Sequence, residues 1–376
     1  MNWLQLALVC VTSTFLAAAI VLTRAWHGRW TGDPVTGGVQ KHHHGAPPRI
    51  GLLPIGAATV LGWGLLLRTG DAYTSHLLGL MLLAAVPAVG LGLADDITKR
   101  IPPKLRMLGA AGSAVLGMWL LGAVVPRTGV PGFDALTHLL PVAVALTLLM
   151  VCGFVNAMNI VDGLNGLAAG LAILMLCATG ALAWQLGDAA ILQICGVLGA
   201  AIFGFLLLNF PRGITFLGDG GAYFIGFMLS QIWILLLVRH PEISPWFVMA
   251  VAAHPTVETV FSIYRRKIFR RREGAMKADR LHLHSLAYRR WALPLLDVRD
   301  SRQRWRANAL ASTVLVLMAG LPMALVMIWP DASAWGGFLV GAYAFVFMGV
   351  FSRLALSGYR ARGERRLVRQ QRVSQA

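Results

Sequence analysis

The chain has 376 residues, of which 57% are hydrophobic and only 13% are charged. Soluble globular proteins carry about 25% charged residues, so this composition excludes an ordinary soluble domain and indicates that lipid surrounds most of the chain. The net charge of +17 would suit a nucleic-acid-binding protein, but the Lys and Arg residues lie beside long apolar segments. There they report membrane topology and contact with anionic lipids, so we expect no nucleic-acid partner.

Eleven apolar segments are candidates for transmembrane helices, each of which needs roughly 20 residues to cross a hydrocarbon core about 30 Å thick. They predict an all-α, polytopic membrane protein. We expect one transmembrane domain over residues 1–356 and a basic cytoplasmic tail over residues 357–376. The predicted segments are residues 3–23, 51–68, 76–94, 106–125, 136–155, 166–185, 189–210, 221–238, 245–264, 307–329 and 336–356.

The distribution of basic residues predicts the orientation of these helices. If the N-terminus lies outside, all but three of the 33 Lys and Arg residues fall on the cytoplasmic side. The exceptions are Arg68, Arg127 and Arg239. This bias is typical of bacterial inner-membrane proteins, so we expect the N-terminus outside and the C-terminus in the cytoplasm. Nearly every polar cluster then faces the cytoplasm, in loops 24–50, 95–106, 156–165, 211–221 and 265–306.

The first polar cluster is the pair Asp95 and Asp96, at the end of the third segment. Adjacent carboxylates at a membrane edge are costly unless they are paired or bind a metal. The alternative is a solvated helix end beside Lys99 and Arg100. The pair alone does not decide between these two interpretations.

The most informative stretch is NAMNIVDGLNG, residues 156–166. Its polar residues recur every three positions and would lie near one face of a helix. They are Asn156, Asn159, Asp162 and Asn165. Carboxylate and amide oxygens suit Mg²⁺, which usually binds together with substrate phosphates. A polar turn between two helices is the alternative, but three Asn and one Asp within ten residues favour a functional site.

Asp219 lies in a glycine-rich sequence, FLGDGG, at the predicted start of the eighth helix. Backbone N–H groups at such a helix N-terminus can receive a phosphate, and Asp219 can hold a metal that the phosphates share. Simple N-capping of the helix by Asp219 is the alternative.

The sequence RLHLHS, residues 280–285, lies in the basic loop and places His282 and His284 on one side of an extended segment. These side chains could bind a diphosphate or a metal, and the alternative is a solvated loop. Glu258 lies inside the ninth segment, close in sequence to Arg265 and Arg266. It is either a functional carboxylate or part of a structural ion pair, and the sequence favours neither interpretation.

Taken in order, these stretches resemble the polyprenyl-phosphate N-acetylhexosamine-1-phosphate transferase family, glycosyltransferase family 4. Residues 40–51, QKHHHGAPPRIG, are similar to the first cytoplasmic loop of the family, QKxHxxxxPRxGG, with Leu52 in place of the second glycine. Asp95 and Asp96 match the start of its DDxxD motif, with Lys99 at the third acidic position.

The other stretches match the rest of the family pattern. Residues 156–166 are similar to NxxNxxDGxDG, with Asn165 in place of the last Asp, and Asp219 lies in the GDGG turn. Residues 280–285 are similar to the HxH loop, and their HxHS ending looks more like the O-antigen and GlcNAc branch than the peptidoglycan translocase. The resemblance runs from residue 33 to about residue 290.

The resemblance implies transfer of an N-acetylhexosamine-1-phosphate, such as GlcNAc-1-phosphate, from a UDP-sugar to undecaprenyl phosphate, with UMP released. This would be the first step of cell-envelope polysaccharide synthesis, on the cytoplasmic face. The resemblance implies Mg²⁺ as the cofactor, with Mn²⁺ as a substitute. The implied metal ligands are Asn159 and Asp219, the catalytic residues Asp95, Asp96 and Asp162, and the substrate-binding residues Lys41, Asn156, Asn165, Arg280, His282 and His284.

Within these roles, Asn165 would contact uracil, and Arg280 and the two histidines would hold the nucleotide or its diphosphate. Asp95 or Asp96 would orient or deprotonate the lipid phosphate. Direct attack by that phosphate is favoured over a double displacement, which stays open. Anionic lipids are expected partners, and a homodimer is left open.

Two alternatives remain at this point. One is the peptidoglycan translocase that forms lipid I from a larger UDP-linked precursor. The other, from a different class, is a lipid or anion transporter, which needs polar groups at mid-bilayer and access to both sides. Only Gln231, His254 and Glu258 are candidates for such a path, and they are sparse.

Overall fold

The structure is a computed structural model that describes residues 1–32, 47–269, 281–297, 300 and 303–374. These residues form helices, turns and one isolated β-bridge between Gly32 and Pro48, with no strand among them. The all-α prediction is confirmed. The helices are α1 (Trp3–Leu22), α2 (Arg24–Thr31), α3 (Leu52–Arg68), α4 (Ala72–Thr98), α5 (Pro103–Leu121), α6 (Asp134–Thr137), α7 (Leu140–Val161), α8 (Leu167–Gln185), α9 (Ala189–Asn209), α10 (Gly218–Arg239), α11 (Pro245–Val251), α12 (Ala253–Phe269), α13 (Leu283–Leu286), a π-helix (Ala287–Ala292), α14 (Leu293–Leu295), α15 (Arg304–Val326) and α16 (Ser333–Ser374).

The chain is a multi-pass membrane protein. In the described part, eight helices are long and apolar enough to cross a membrane, namely α1, α4, α7, α8, α9, α10, α15 and the Ser333–Ser357 part of α16. The bent pair α11 and α12 gives a ninth candidate, while α3 is apolar but has only 17 residues. α5 carries Lys104 and Arg106 near its start. The predicted number of eleven spans is therefore not confirmed.

The helices run between two ends of a bundle. We call the end where α4 finishes and α10 begins the acidic end, and the other the opposite end. Tryptophan is enriched at membrane–water interfaces. The exposed tryptophans lie near helix termini at both ends: Trp26 and Trp30 at the acidic end, and Trp3, Trp119, Trp184 and Trp329 at the opposite end. The two ends of the bundle therefore mark the two membrane interfaces.

α10 is the central helix of the bundle. In its most apolar stretch 94% of the residues are buried, against 17% for α1 at the periphery. α3, α4, α5, α7 and α8 all pack against it. A helix that is apolar on all sides belongs in the interior, and this burial fixes the position of whatever α10 carries at its N-terminus.

The predicted ninth segment, 245–264, is not one straight helix. α11 and α12 meet at Ala252 with a bend of 80°. Pro255 explains the break, because it has no N–H to donate to the Val251 carbonyl and its ring would clash with that group. The bend directs α12, with Glu258, towards the acidic end.

Several helices extend into the predicted loops. α7 continues to Val161, so Asn156 and Asn159 lie on its last two turns, and α10 begins at Gly218 rather than at residue 221. α16 likewise continues as a helix through the predicted tail to Ser374. The loops at 156–165 and 211–221 are therefore shorter than predicted, and their polar side chains stand on rigid helix ends.

Candidate active site

Four acidic side chains from three distant parts of the chain meet at the acidic end. Two lie in the last turns of α4, one directly follows α7, and one lies in the first turn of α10. Two arginines lie among them and pair with the carboxylates. We call these six residues the carboxylate cluster: Asp95, Asp96, Asp162, Asp219, Arg49 and Arg106.

Asp96 caps the N-terminus of α10. Its Oδ1 accepts the backbone N–H of Asp219 at 2.8 Å, and its Oδ2 accepts that of Gly220 at 2.9 Å. Its side chain is fully buried, which rules out the solvated helix end for this residue. Because Asp96 makes these bonds, the interpretation of Asp219 as the simple N-cap is wrong, and the Asp219 carboxylate is available for another purpose.

This cap requires α4 and α10 to approach closely, and glycines allow it. A Cβ on Gly92 would lie 2.7 Å from the Gly220 Cα, which no side chain tolerates. Gly218 has φ +75°, a conformation that favours glycine, and a Cβ there would overlap the Arg49 carbonyl oxygen and the Asp96 carboxylate. The GDGG sequence therefore serves the backbone geometry of the site.

The Asp219 carboxylate lies at the centre of the cluster. Its Oδ1 accepts the Asn159 Nδ2 amide at 3.0 Å and an Arg49 Nη2 guanidinium N–H at 3.1 Å. Its Oδ2 accepts an N–H of Arg106. The site thus joins the N-terminus of α10 to the last turns of α7. Positive charge from Arg106 on α5 and from Arg49, just before α3, offsets the acid.

A short extended segment places Arg49. The Arg49 N–H donates to the Thr31 carbonyl at 2.8 Å, and the Phe216 N–H donates to the Pro48 carbonyl at 2.8 Å. Gly51 then donates to the Phe216 carbonyl at 3.1 Å, so close that a Cβ on Gly51 would lie 2.8 Å from the Leu217 Cα. The PRIG sequence is thereby held directly beside the turn that carries Asp219.

Asp95 is half-buried and joins α4 to α5. Its Oδ2 accepts the Arg106 guanidinium at 3.1 Å, and its Oδ1 accepts the Ile101 backbone N–H at 3.0 Å. Lys99, which replaces the third acid of the family motif, donates to the Gly32 carbonyl. In this chain it joins the α4 terminus to the end of α2.

Asp162 follows α7 and lies against the backbone of Gly218. Burial raises the pKa of its carboxyl to about 7, against the lowering effects of the Arg49 guanidinium and the Gly218 N–H. A cation bound nearby would favour the ionised form of this carboxyl.

Asn165 is buried and supports the turn after α7. Its Nδ2 donates to the Pro211 carbonyl at 3.0 Å, and its backbone N–H donates to the Asn308 side chain at 2.8 Å. The next N–H, of Gly166, donates to Asn209 Oδ1 at 2.7 Å. The amide therefore already has a structural partner, and its implied contact with uracil stays a prediction.

The two histidines of the RLHLHS sequence are buried, so the solvated-loop interpretation is wrong for them. Their rings are stacked, with centroids 5.4 Å apart and planes within 2°. A Cβ on Gly163 would overlap His284 Nε2, which places this ring directly against the turn that contains Asp162. His282 Nδ1 lies 2.9 Å from Glu258 Oε1. The structure therefore brings both histidines to the cluster.

Three of the implied site residues remain. Asn156 is half-buried on α7, one turn before Asn159. Lys41 and Arg280 lie outside the described residues, as do the histidines at positions 42–44.

Sequence reasoning did not single out Arg49, Arg106, Asn209 or Asn308 as functional residues. Arg106 entered only the count of basic residues, and Arg49 only the motif of the first cytoplasmic loop, with no role of its own. A surplus of clustered acids at a membrane edge was the available signal for them, because buried carboxylates need cationic partners. The two asparagines carried no such signal, since Asn308 lies 143 residues from the backbone it supports.

The side chains present suit a hard divalent cation such as Mg²⁺, which prefers carboxylate and amide oxygens. Asn159 and Asp219 are close enough to bind one ion, and turning the amide of Asn159 would present its oxygen to the same point. Among the described residues, no group of three or more His, Cys, Asp and Glu side chains could hold a metal ion by itself. An ion at this position would therefore need an amide ligand and would compete with Arg49 and Arg106 for carboxylate oxygens.

Comparison with known proteins shows which family the chain resembles. The profile of glycosyl transferase family 4 matches residues 78–237, from α4 to α10. The chain is 30% identical over 249 residues to the probable undecaprenyl-phosphate N-acetylglucosaminyl 1-phosphate transferase of Bacillus subtilis strain 168. It is 31% and 32% identical to the undecaprenyl-phosphate alpha-N-acetylglucosaminyl 1-phosphate transferases of Escherichia coli K12 and Yersinia pestis, over 259 and 264 residues. These matches cover 65–66% of this chain and 66–68% of each relative.

Proposed function

We propose, since the chain belongs to glycosyl transferase family 4, that it transfers an N-acetylhexosamine-1-phosphate from a UDP-sugar to undecaprenyl phosphate and releases UMP. The relatives are named for transfer of GlcNAc-1-phosphate to undecaprenyl phosphate, which makes UDP-GlcNAc the first donor to test. The observation that carries the proposal is the contact of Asn159 with Asp219 at 3.0 Å inside the carboxylate cluster. The cluster lies at helix ends, where a soluble donor and a membrane-bound acceptor can meet.

We place the cluster on the cytoplasmic face of the bacterial inner membrane. We also propose that all eleven predicted segments cross this membrane. Successive helices alternate in direction between the two ends of the bundle. This alternation requires α3 and α5 to cross as well, although length and hydropathy alone do not identify them as spans. The described helix ends that flank the basic loops 24–50, 95–106 and 265–306 lie at the acidic end. The positive-inside rule assigns that end to the cytoplasm.

Asn159 and Asp219 are the residues that would hold Mg²⁺. The ion would supply charge neutralisation for the donor diphosphate and for the departing UMP. The remaining residues act by positioning and by charge. Arg49 and Arg106 present guanidinium groups that match phosphate oxygens, and each can exchange a carboxylate partner for a substrate phosphate. His282 and His284 lie beside the Asp162 turn, where they would contact the diphosphate.

The reaction is one phosphoryl transfer. An oxygen of the lipid phosphate forms a bond to the β-phosphorus of the UDP-sugar, and the bond from that phosphorus to the bridging oxygen breaks, leaving UMP with the electron pair. The acceptor phosphate is already ionised near neutral pH, so catalysis consists mainly of alignment and charge stabilisation. Asp95, which is half-buried, is the carboxylate best placed to orient that acceptor.

We assign Asp96 a positioning role rather than the catalytic role that the resemblance implied. Both of its oxygens accept backbone N–H groups of α10, and its side chain is fully buried. A carboxylate held in this way is a poor nucleophile and a poor base, because either role would expose two buried N–H donors. This supports direct attack by the lipid phosphate over a double displacement through Asp96.

The transporter alternative has little support in the geometry. Glu258 bonds to His282 beside the carboxylate cluster, and His254 Nδ1 lies 2.5 Å from the Tyr343 hydroxyl. Both groups are therefore engaged inside the protein instead of lining a path between the two ends. The larger donor of the peptidoglycan translocase stays a separate alternative, and a panel of donors addresses it.

The test is a donor panel with the purified protein. UMP release and formation of the lipid-linked sugar diphosphate would be measured with undecaprenyl phosphate and UDP-GlcNAc, UDP-GalNAc, their 6-deoxy and 4-amino derivatives, and UDP-MurNAc-pentapeptide. We expect turnover with an N-acetylhexosamine donor and none with the pentapeptide. Asp331→Asn, which changes an exposed acid at the opposite end, is the control variant. Absence of UMP release with every donor would refute the proposal.

A further inference from the structure

Glu258 is an acid buried inside the protein at the bent pair of helices. It lies on α12, just over one turn after the bend, and only 2% of its surface is exposed. An ionised carboxylate inside a membrane protein is expensive unless partners compensate it, so such a residue is a candidate for function. The family profile ends at residue 237, before this helix.

The partners of Glu258 belong to the histidine segment. Its Oε1 lies 2.9 Å from His282 Nδ1, and both of its oxygens lie 3.2 Å from the Leu283 backbone nitrogen. An ionised carboxylate can only accept hydrogen bonds, so Nδ1 is the nitrogen of His282 that carries the proton. The bond fixes both the rotation of the ring and which nitrogen, Nε2, is left for another partner.

The orientation of the His282 ring affects the active site through His284. The His282 ring stacks on the His284 ring at 5.4 Å, and His284 Nε2 lies against Gly163, next to Asp162. The same segment is held from its far side, because the Arg290 guanidinium donates to the Leu354 carbonyl of α16 at 2.8 Å. A displacement of Glu258 would therefore shift both rings relative to the carboxylate cluster.

We infer that Glu258 is a positioning residue that sets the tautomer and orientation of His282 for the nucleotide diphosphate of the donor. The inference rests on the proposed function. Glu258 itself does not touch the donor, because its oxygens are occupied by His282 and Leu283 inside the protein. Its effect should therefore appear in the binding of the UDP-sugar and leave the binding of undecaprenyl phosphate unchanged.

Two conservative variants separate geometry from charge. Glu258→Gln removes the charge but keeps an Oε1 that can accept from both His282 and Leu283, as Oε1 does now. Glu258→Asp keeps the charge but shortens the side chain by one methylene, so the carboxylate no longer reaches His282 Nδ1 with good geometry. Thr259→Val is the matched control, since Thr259 is buried on the same helix and its hydroxyl has no hydrogen-bond partner among the described residues.

The measurement is steady-state kinetics with each substrate varied separately, together with the rise in unfolding temperature that UMP causes. We expect Glu258→Asp to raise the KM for the UDP-sugar by about 10–100-fold, the size of effect found when the partner that orients a metal-binding histidine is removed. Glu258→Gln should stay within about threefold of the wild type, with the KM for undecaprenyl phosphate unchanged in both. The UMP-induced stabilisation should be lost in Glu258→Asp and kept in Glu258→Gln.

The reverse order of the two variants would overturn the inference, because it would mean that charge matters and geometry does not. Equal impairment of both variants, or wild-type behaviour of both, would overturn it as well. If the wild type itself released no UMP from any donor, the proposed function would fail. The UMP-induced stabilisation would then still test Glu258, because that readout requires no turnover.

Discussion

Gly218 offers the most direct test of the site geometry, through the variant Gly218→Ala. Its φ of +75° lies in the left-handed region, which costs a residue with a Cβ about 1–2 kcal/mol. The new Cβ would also lie 2.5 Å from Asp96 Oδ2, where ordinary contact begins near 3.4 Å. The Asp96 carboxylate must therefore move by roughly an ångström, away from two N–H groups that it now bonds at 2.8 and 2.9 Å. Each buried N–H left unsatisfied costs roughly 1–3 kcal/mol.

The backbone strain and the two lost hydrogen bonds of Gly218→Ala together cost roughly 3–8 kcal/mol of folding free energy before relaxation. Because one of the lost bonds holds the Asp219 backbone, the change also displaces Asp219. Gly122→Ala is the matched control, because Gly122 has φ +62°, lies at the opposite end and has no atom within 4 Å of the added Cβ. We expect Gly122→Ala to lower the unfolding temperature without changing kcat. Gly218→Ala should lower it further and reduce UMP release by about 100-fold or more, since each 1.4 kcal/mol in the barrier is about tenfold in rate. Wild-type turnover in Gly218→Ala would refute the cap of α10 as the element that positions Asp219.

Two further predictions concern the metal and the interior of the bundle. Addition of EDTA should stop UMP release, and Mg²⁺ or Mn²⁺ should restore it. Asp219→Ala and Asn159→Ala should each abolish turnover but leave membrane insertion intact. Turnover without metal, or wild-type rates in either variant, would argue against these two ligands. Neither side-chain amide atom of Gln231, which is fully buried on α10, has a hydrogen-bond partner among the described residues. Gln231→Met, which keeps the volume, should therefore stabilise the protein by about 1–3 kcal/mol, and an unchanged or lower unfolding temperature would contradict this.

The positions of the helices could be predicted from the sequence to a large extent, because apolar length is a local property. Each predicted segment overlaps a helix, although residues 106–125 and 136–155 were displaced by several positions from α5 and α7. The break at Ala252 was missed, even though Pro255 lies in that segment. Hydropathy alone does not distinguish a straight span from two helices that meet at a proline.

The acids of the site could also be predicted, because carboxylates and amides at helix ends are conspicuous in a chain with so few charges. Their partners could not. Glu258 has two arginines close behind it in the sequence, yet the bond that the structure shows is to His282, 24 residues away. Asp96 bonds to backbone groups more than 120 residues away. Side-chain pairing of this kind is decided by tertiary packing, which no local pattern reports.

The charge balance of the cluster links its structure to its chemistry. Four carboxyl groups face two guanidinium groups, which leaves an excess of formal negative charge at a place proposed to receive two phosphate-bearing substrates. Arg49 and Arg106 cannot by themselves neutralise both the acids and the phosphates. A divalent cation on Asn159 and Asp219 would cancel this formal excess and free the arginines to turn from carboxylate to phosphate. The donor should therefore bind far more weakly without metal, and a donor affinity independent of Mg²⁺ would show that the arginines suffice and that this balance is wrong.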